Sequence, residues 1–253
     1  MPWNPERYHQ FQSQRSAPFE DLLQLVRIRP NLRAVDLGCG TGELTARLAQ
    51  ALPGSDVLGL DSSREMLERA ASYARPGLRF EQGDQAGLDG QFDLIFSNAA
   101  LQWSGDHPAL IRRLYACLAP GGQLALQVPS NHGHISHRII LEVAGQEPFR
   151  SALQGFTRLS PVLPIEDYAS LLFELGAQDI LAFEKVYPHV LADADAVVDW
   201  ISGTALVPYF ERLDEPAQST FTRAIRARMK AELPGQPLFY PFKRTLFSAD
   251  KPS

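Results

Sequence analysis

The sequence contains few cysteines, no long apolar run and no excess of basic residues. Its two cysteines, Cys39 and Cys117, are too few for a disulfide framework. No apolar run approaches the ~20 residues that a membrane span requires, and the opening residues MPWNP lack the charged-then-apolar pattern of a signal peptide. These absences argue against a disulfide-stabilised scaffold and a membrane-spanning protein, and we expect a cytoplasmic location.

Positive charge is also scarce. The 24 lysines and arginines are outnumbered by 29 aspartates and glutamates, which gives a formal net charge of −5 at pH 7. Proteins that hold nucleic acid do so largely through basic surfaces, so this balance argues against a DNA or RNA partner. The hydrophobic content of 45% and the charged content of 21% are ordinary for a globular protein. We therefore expect one large domain with a small-molecule ligand.

The most informative stretch runs from Ala34 to Gly42 and reads AVDLGCGTG. A short apolar run that contains Asp36 leads into three glycines at alternate positions, and apolar residues at helical spacing follow. This pattern predicts a strand, a tight turn and a helix, with the backbone of the turn close to a ligand. The dinucleotide fingerprint would require a glycine at Glu43. Asp36 also suits a cationic ligand better than a pyrophosphate.

Short apolar runs alternate with helical patterns along the rest of the chain. Beyond the strand at 34–37, strands are predicted at 57–61, 78–81, 92–98, 124–128, 180–187 and 238–247, the last as an edge strand broken by Pro241. Parallel strands that alternate with helices form a doubly wound α/β sheet, which binds ligands at the carboxyl ends of its strands. Four residues fall at such ends: Gly38, Asp61, Asp84 and Asn98. Asp61 has the position of a ribose-binding acid.

Two segments lie outside this alternation. Residues 1–30 are predicted to form two helices, the second of which begins at Pro18. These helices either pack onto the domain or form a lid over the ligand cleft, and the two interpretations are compatible. Residues 192–235 are predicted to be helical, and as a long connection before the last strand they would form a cap.

A third segment, residues 130–160, is predicted to be irregular. It contains His132, His134 and His137, whose spacing raises the question of a metal site. No cluster of cysteines or carboxylates accompanies them in the sequence, so we interpret these histidines as loop or substrate contacts.

The turn after Asp36 resembles motif I of the class I S-adenosylmethionine (SAM)-dependent methyltransferases. In that family the acid lies near the amino acid end of SAM, and the glycine turn lies under its ribose and methionine portion. The chain is similar over essentially its whole length to one branch, the trans-aconitate 2-methyltransferases. The likeness rests on Trp3, Tyr8, Phe11 and Arg15, on the pairs Asn98-Ala99, Gln102-Trp103, Asp106-His107, Asp199-Trp200 and Gly203-Thr204, and on the run from Pro241 to Phe247.

The resemblance implies a seven-stranded, mostly parallel, Rossmann-like sheet with a helical cap inserted before the last strand and an N-terminal helical lid. These parts would form one methyltransferase domain over residues 1–253. SAM would be the methyl donor and S-adenosyl-L-homocysteine its product, with a carboxylate, expected to belong to trans-aconitate, methylated to an ester. The cofactor-binding residues that the resemblance indicates are Asp36, Gly38, Cys39, Gly40, Gly42, Asp61, Ser62, Met66, Asp84, Gln85, Asn98 and Ala99.

A carboxylate acceptor needs no general base, because with a reference pKa near ~4 it is ionised at neutral pH. We expect catalysis through positioning and removal of water, without a catalytic residue, and a cationic side chain that binds a carboxylate of the acid. Arg15 is the first candidate because it shares a helix face with aromatic residues. The predicted substrate-binding residues are Tyr8, Arg15, Trp103, His137, Tyr209, Lys243 and Arg244.

Two departures from the family pattern leave the identity of the substrate acid undecided. Val207 stands where the family typically has an arginine before the cap proline, and Ser130 stands where it typically has an aspartate. The segment from Ser97 to Trp103 is also similar to the malonyl carrier-protein methyltransferases. Further alternatives are a methyltransferase of a hydroxyl or an amine, with His107 or His137 as its base, and a SAM-binding protein without catalysis.

Overall fold

The computed structural model describes the backbone of residues 12–253 and the side chains of residues 17–253. The predictions for Trp3, Tyr8 and Phe11 and for the side chain of Arg15 therefore lie outside the described residues. The proposed lid is described only from residue 12 onward. Within these bounds, none of the helices combines the length and the apolar character that a membrane crossing demands.

The chain forms two compact units. The sheet unit consists of Arg15–Pro129, Pro161–Lys185 and Arg244–Ser253, and the cap unit contains Ser130–Ser160 and Val186–Lys243. The cap unit thus extends beyond the helical insert expected at 192–235. The expectation of a single methyltransferase domain stays a prediction.

The sequence order of the elements alternates strands with helices. The strands are β1 (Arg33–Leu37), β2 (Asp56–Asp61), β3 (Leu78–Gln82), β4 (Phe92–Asn98), β5 (Leu118–Pro129), β6 (Gln178–Leu191) and β7 (Leu238–Asp250). The helices between residues 12 and 253 are α1 (Gln12–Leu23), α2 (Glu43–Ala51), α3 (Arg64–Ala70), α4 (His107–Ala116), α5 (Ile135–Ala144), α6 (Phe149–Ala152), α7 (Ile165–Glu174), α8 (Ala194–Ser202), α9 (Val207–Phe210) and α10 (Glu215–Glu232). Short 3₁₀ helices at Ala71–Tyr73, Gln85–Gly87, Leu101–Trp103 and Asn131–Gly133 complete the described elements.

The seven strands form one sheet in the order β3-β2-β1-β4-β5-β7-β6. Strands β1 to β5 pair in parallel, whereas β7 runs antiparallel to β5. The order reverses between β1 and β4, and a ligand is expected at such a switch point. The predicted fold class, a seven-stranded and mostly parallel doubly wound sheet, is therefore confirmed.

The prediction of an edge strand at 238–247 is wrong. Strand β7 lies between β5 and β6 and continues through Pro241 to Asp250, while β6 forms the edge. On the β5 side of β7 the proline is compatible with the sheet, because the pairing of β7 with β5 extends only from Arg244 to Asp250. Pro241 lies outside that stretch, so its missing N–H removes no hydrogen bond from this ladder.

Two further sequence predictions need correction. In the described part of the chain, α1 spans Gln12–Leu23 and passes through Pro18, whereas a helix starting at this proline was expected. Residues 130–160 are not irregular, because α5 and α6 lie there. The side chains of Ile139, Ile140 and Val143 form the buried face of α5, and the histidines that precede this face in the sequence obscure its helical pattern.

Apolar layers cover both faces of the sheet in the sheet unit. Alternate residues of a strand point to opposite faces, so Ile95 joins the layer formed with α4 and α7, while Phe96 joins the layer formed with α1 and α2. The cap unit has an apolar core of its own, which includes Phe221 and Trp200. The sheet unit therefore holds its strand ends in place through packing on two sides.

Candidate active site

The glycine turn connects the end of β1 to the start of α2. Gly38 has a φ of +73°, and a Cβ added there would lie 2.1 Å from the Cβ of Ala100, so close packing requires glycine. At Gly40, with a φ of +55°, an added Cβ would meet no atom of the described residues within 4 Å. Among these residues, the turn therefore borders open space at Gly40, as expected for a backbone that approaches a ligand.

Asp36 is a buried carboxyl group just before this turn, with 4% of its surface exposed. Its Oδ2 accepts a hydrogen bond from Thr45 Oγ1 at 2.6 Å. Burial raises the pKa of Asp36 to about 7; the bond from Thr45 opposes this rise, and the charge of Asp61 adds to it. A cationic ligand near this carboxyl would favour its ionised form, which fits the ammonium group at the amino acid end of SAM.

Asp61, at the end of β2, fixes the glycine turn. Its Oδ2 accepts from the backbone N–H of Gly40 and its Oδ1 from the backbone N–H of Ser63, both at 2.8 Å. Each oxygen keeps a further lone pair, which a ligand hydroxyl could use. Ser63 in turn accepts from the N–H of Met66 at 3.3 Å and caps α3, whereas Ser62 is exposed.

Two of the predicted cofactor-binding residues, Asp84 and Gln85, follow the end of β3. Asp84 is exposed, and its Oδ1 accepts from the N–H of Ala86 at 2.6 Å, so it caps the short helix at Gln85–Gly87. Gln85 donates from Nε2 to Ser104 Oγ. Its Oε1 is buried without a partner in the described part of the chain. A buried free acceptor here is compatible with a ligand N–H.

Residues Asn98 and Ala99 follow at the end of β4. The Oδ1 of Asn98 is buried and has no hydrogen-bond partner among the described side chains and backbone. Ala99 has a φ of +58°, which is unusual for a residue with a Cβ. Its N–H donates to the carbonyl of Gln127 at 3.0 Å, and its carbonyl accepts from Gln102 Nε2 at 2.6 Å. These two hydrogen bonds fix the strained backbone at Ala99. Trp103, four residues further along the chain, is 52% exposed.

His107, considered above as a base for a hydroxyl or amine acceptor, is fully occupied. Its Nε2 bonds to the carbonyl of Leu101 at 2.9 Å, and its Nδ1 bonds to the hydroxyl of Tyr168. Because Nε2 donates to a carbonyl, Nδ1 of the neutral ring is an acceptor, and the Tyr168 hydroxyl donates to it while accepting from the N–H of Leu163 at 3.2 Å. Burial also lowers the pKa of His107. The ring holds the turn at Leu101 and is not free to take a proton from a ligand.

Arg244 is a buried cation in the sheet unit. It lies in β7 opposite Pro129 of β5, with 7% of its surface exposed. Its Nη1 donates to Oε1 of Gln127 at 3.2 Å, and Gln127 is completely buried. Gln127 is not among the site residues predicted from the sequence, although a polar residue within the apolar run LALQV of β5 is a signal that could have indicated it.

Trp103 and Arg244 lie in the sheet unit. The three other predicted substrate residues with described side chains, Tyr209, Lys243 and His137, lie in the cap unit. Tyr209 is a core residue there: it is 2% exposed, its hydroxyl accepts from the N–H of Arg158 at 3.1 Å, and its ring contacts Phe156. The backbone N–H of Lys243 donates to Asn131 Oδ1 at 3.2 Å. No structural feature assigns either side chain to a substrate.

His137 belongs to the same unit and is half-buried. Burial lowers its pKa to about 4, and the neighbouring charges of His134, His132 and Arg158 add to this shift. His137 is therefore neutral at pH 7 and a weak base. Among residues 12–253, no three His, Cys, Asp or Glu side chains come together in a group that could hold a metal ion.

Comparison with known proteins identifies the family. The family described as "Methyltransferase domain" matches residues 34–122. The chain is 52% identical to the trans-aconitate 2-methyltransferase of Deinococcus radiodurans, with 100% of this chain and 99% of that protein covered. It is 40% identical to the trans-aconitate 2-methyltransferase of Paracidovorax citrulli, over 92% of this chain and 90% of that protein.

Solved structures show the same fold. The YcgJ protein of Bacillus subtilis matches with a TM-score of 0.61 over 94% of this chain and 99% of its own. A phosphoethanolamine N-methyltransferase of Haemonchus contortus, solved with SAM bound, matches with a TM-score of 0.57 over 94% of this chain and 53% of its own. Both are 17% identical to this chain and show the fold alone. Given the full-length identity to curated relatives, the chain belongs to the trans-aconitate 2-methyltransferases, a family of SAM-dependent methyltransferases.

Proposed function

We propose that this protein transfers a methyl group from SAM to a carboxylate of trans-aconitate and so forms a methyl ester. The observation that carries the proposal is the 52% identity, over the whole chain, to a protein named trans-aconitate 2-methyltransferase. A carboxylate is ionised at neutral pH, since its reference pKa is about 4, and it attacks without losing a proton first. The protein's task is then to bind, orient and desolvate the two reactants.

The ends of β1, β2 and β4 are the proposed cofactor site. When bound, SAM supplies an electrophilic methyl group on a sulfonium. Asp36 would bind the ammonium group of SAM. Burial disfavours the ionised form of this carboxyl, and a positive charge beside it would stabilise that form. Asp61 would accept from ribose hydroxyls with its remaining lone pairs. The buried Oδ1 of Asn98 offers a further acceptor, and the open space at Gly40 gives the ligand room.

Arg244 is the proposed carboxylate-binding residue of the sheet unit. A buried guanidinium binds a carboxylate through two parallel hydrogen bonds, and burial strengthens this attraction. Because Val207 stands where the family resemblance leads us to expect an arginine, the acid needs a cation from elsewhere, and Arg244 meets that need. Arg15 and Lys243 stay as further candidates from the sequence.

The state of the histidines supports a carboxylate acceptor over a hydroxyl or an amine. Both ring nitrogens of His107 are bonded within the sheet unit, and the pKa of His137 is about 4. Neither is suited to act as a base near pH 7. We expect the single-turnover rate at saturating SAM and acid to be constant between about pH 6.5 and 8.5, above the pKa range of the acid. An inflection that disappears in His107→Gln or His137→Gln would contradict this.

Methyl transfer from labelled SAM to a panel of acceptors tests the proposal. The panel contains trans-aconitate, a malonyl thioester, and hydroxyl and amine compounds of similar size. We expect label on trans-aconitate, and mild alkali should release it as volatile methanol, because only an ester hydrolyses in this way. Label that resists alkali would indicate an ether or amine product. Calorimetric SAM binding without transfer to any acceptor would indicate a binding protein.

The proposed location of this reaction is the cytoplasm. Both cysteines, Cys39 and Cys117, are buried free thiols, a state that a reducing compartment maintains. The acidic net charge fits a small-molecule substrate rather than nucleic acid.

A further inference from the structure

We propose that Gln127 binds a carboxylate of the substrate through Nε2, next to Arg244, and thereby favours polycarboxylic acids over acids with fewer carboxylates. This inference rests on the proposed function, because it assigns a role within the same acid-binding site. It adds a residue that the family resemblance did not indicate.

The position of Gln127 places it at the edge of the sheet where ligands bind. It lies near the carboxyl end of β5, in register with Asn98 of β4 and Leu246 of β7. Leu246 belongs to the apolar layer formed with α1 and α2. Gln127 and Arg244 point to this same face, because each lies an even number of residues from a member of that layer along its strand.

The orientation of the Gln127 amide is set by Arg244. Its Oε1 accepts from Arg244 Nη1 at 3.2 Å. Rotating the amide by half a turn would put its NH₂ group against the guanidinium, donor against donor. Nε2 is therefore at the other end of the amide, where it is buried and lacks a hydrogen-bond partner in the described part of the chain. The neighbouring Oδ1 of Asn98 also lacks one there, so these two groups do not satisfy each other.

The chemistry of these groups selects an anion. A guanidinium and an amide NH₂ both donate, and the oxygen of this amide is already used by Arg244. A carboxylate carries two oxygens with about four lone-pair directions and no hydrogen, so it can accept from both donors at once. A buried donor left without a partner is unfavourable, and a bound carboxylate would remove this disadvantage.

Gln123 provides a matched control within the same strand. It is 6% exposed and lies four residues before Gln127, on the same face of the sheet. Its amide is satisfied at both ends: Oε1 accepts from the N–H of Arg27 at 2.9 Å, and Nε2 donates to the carbonyl of Leu25 at 3.0 Å. Replacing it removes a buried amide of the same strand without touching the proposed anion site.

The experiment compares Gln127→Met and Gln123→Met with the wild-type enzyme. Methionine keeps the length of the side chain and removes both the donor and the acceptor. For Gln127→Met we expect the KM for trans-aconitate to rise about 10-fold to 100-fold, as for a lost hydrogen bond to a charged group. The dissociation constant for SAM, measured by calorimetry, should stay within about twofold, because the lost amide NH₂ would bind the acid rather than SAM. Gln123→Met should lower the melting temperature and leave both constants unchanged.

The KM values for substrate analogues distinguish a role of Gln127 in binding the acid from a purely structural role. Analogues of trans-aconitate that each lack one carboxylate are assayed with both enzymes. For the analogue that lacks the carboxylate bound by Gln127, the wild type and Gln127→Met should have equal KM values. Gln127→Glu places a negative charge beside Arg244 and should raise the KM for trans-aconitate more than methionine does. If that variant fails to fold, Gln127→Met decides alone.

Failure of the inference is distinguishable from failure of the proposed function. If the wild type methylates trans-aconitate and Gln127→Met has the same KM, the inference is wrong and the proposed function stands. If Gln123→Met raises the KM as much as Gln127→Met does, the effect comes from the strand and the inference is again wrong. If the wild type methylates no acid of the panel, the proposed function is wrong, and the inference falls with it.

Discussion

In the cap unit, a chain of hydrogen bonds joins four polar side chains. The hydroxyl of Tyr240 bonds to Asn131 Nδ2 at 3.1 Å and to Ser136 Oγ at 3.0 Å, and Ser136 bonds to His134 Nδ1 at 2.9 Å. At the strand ends of the sheet unit, by contrast, Asn98 Oδ1 and Gln127 Nε2 have no partner in the described structure, and Asp36 is a buried acid with a raised pKa.

This contrast separates polar groups that hold a fold from polar groups that can receive a ligand. Buried polar groups are normally hydrogen-bonded, and exceptions need an explanation. In the cap network each group named above has a partner within the unit, so its polarity is accounted for by stability. In the sheet unit, Asn98 Oδ1 and Gln127 Nε2 lie at the carboxyl ends of β4 and β5, and the buried acid Asp36 lies at the end of β1, where a doubly wound sheet binds its ligand.

The largest expected effect comes from Asp36→Asn. The pKa of Asp36 is about 7 in the folded protein, against an ordinary value of 3.8. Between these values the folded protein binds more protons than the unfolded chain, so the stability of the ligand-free protein falls as the pH rises from about 4 to about 7. At pH 8 the penalty amounts to about 4 kcal/mol. Asparagine keeps an acceptor for Thr45 and carries no charge, so it should remove the penalty.

Thermal denaturation at pH 5 and pH 8, with and without SAM, measures this effect. The ligand-free variant should melt higher than the wild type at pH 8, with a smaller difference at pH 5, and should gain less from SAM. The control is Asp56→Asn, since Asp56 is an exposed residue paired with Arg79 and should give no increase at pH 8. If Asp36→Asn melts at a lower temperature than the wild type at pH 8 and binds SAM with normal affinity, Asp36 stabilises the fold and does not bind the ligand.

The second expected effect is the loss of SAM affinity in Asp61→Ala. The substitution removes the acceptors of the Gly40 and Ser63 N–H groups, so the glycine turn loses its link to β2. We expect SAM to bind about 10-fold to 100-fold more weakly, which is ~1–3 kcal/mol. Calorimetry is the measurement, and Asp56→Ala is the control, because Asp56 is an exposed residue at the start of β2 that pairs with Arg79. Equal affinities in the wild type and Asp61→Ala would refute the assigned site.

The smallest expected effect, on the other side of the comparison, is that of Tyr240→Phe. The variant leaves Asn131 and Ser136 each without one hydrogen bond, which should lower the free energy of unfolding by about 1–2 kcal/mol. SAM affinity should not change, because the network lies within the cap unit. Chemical denaturation and calorimetry test the two parts separately. A large loss of SAM affinity in this variant would remove the distinction between structural and ligand-binding polar groups.

Local patterns in the sequence place the residues of the proposed cofactor half of the site next to one another. Asp36 and the glycine turn are neighbours in the chain, and Asp61 ends the next strand, so strand alternation alone brings them together. Ser63, which caps α3, follows Asp61 by two residues and is brought to the site by the same local order. The fold class follows from the same alternation, because parallel strands require helical crossovers.

The proposed acid-binding half depends on contacts that no local pattern contains. Gln127 and Arg244 are 117 residues apart and meet only because β7 pairs antiparallel with β5. Arg244 was predicted from the sequence to be a cation that binds the substrate. The strand that contains it was predicted to be an edge strand, because Pro241 is typical of one. The reason this proline is compatible with the sheet on the β5 side, a register with β5 that begins at Arg244, is a property of the assembled sheet.

The contact between Gly38 and Ala100 has a consequence for directed evolution of this enzyme. Gly38 would look invariant in a library that varies one residue at a time, because a Cβ at residue 38 would meet the methyl group of Ala100 at 2.1 Å. The two positions are epistatic, and the order of mutations matters. Shrinking residue 100 to glycine first removes only one methyl group and makes space, after which alanine at residue 38 retains only the strain of its left-handed backbone, about 1–3 kcal/mol. If residue 38 is changed to alanine first, the intermediate protein contains the clash with Ala100. Of the two orders in which these substitutions can be made, we therefore expect only the one that begins with residue 100 to give a stable intermediate.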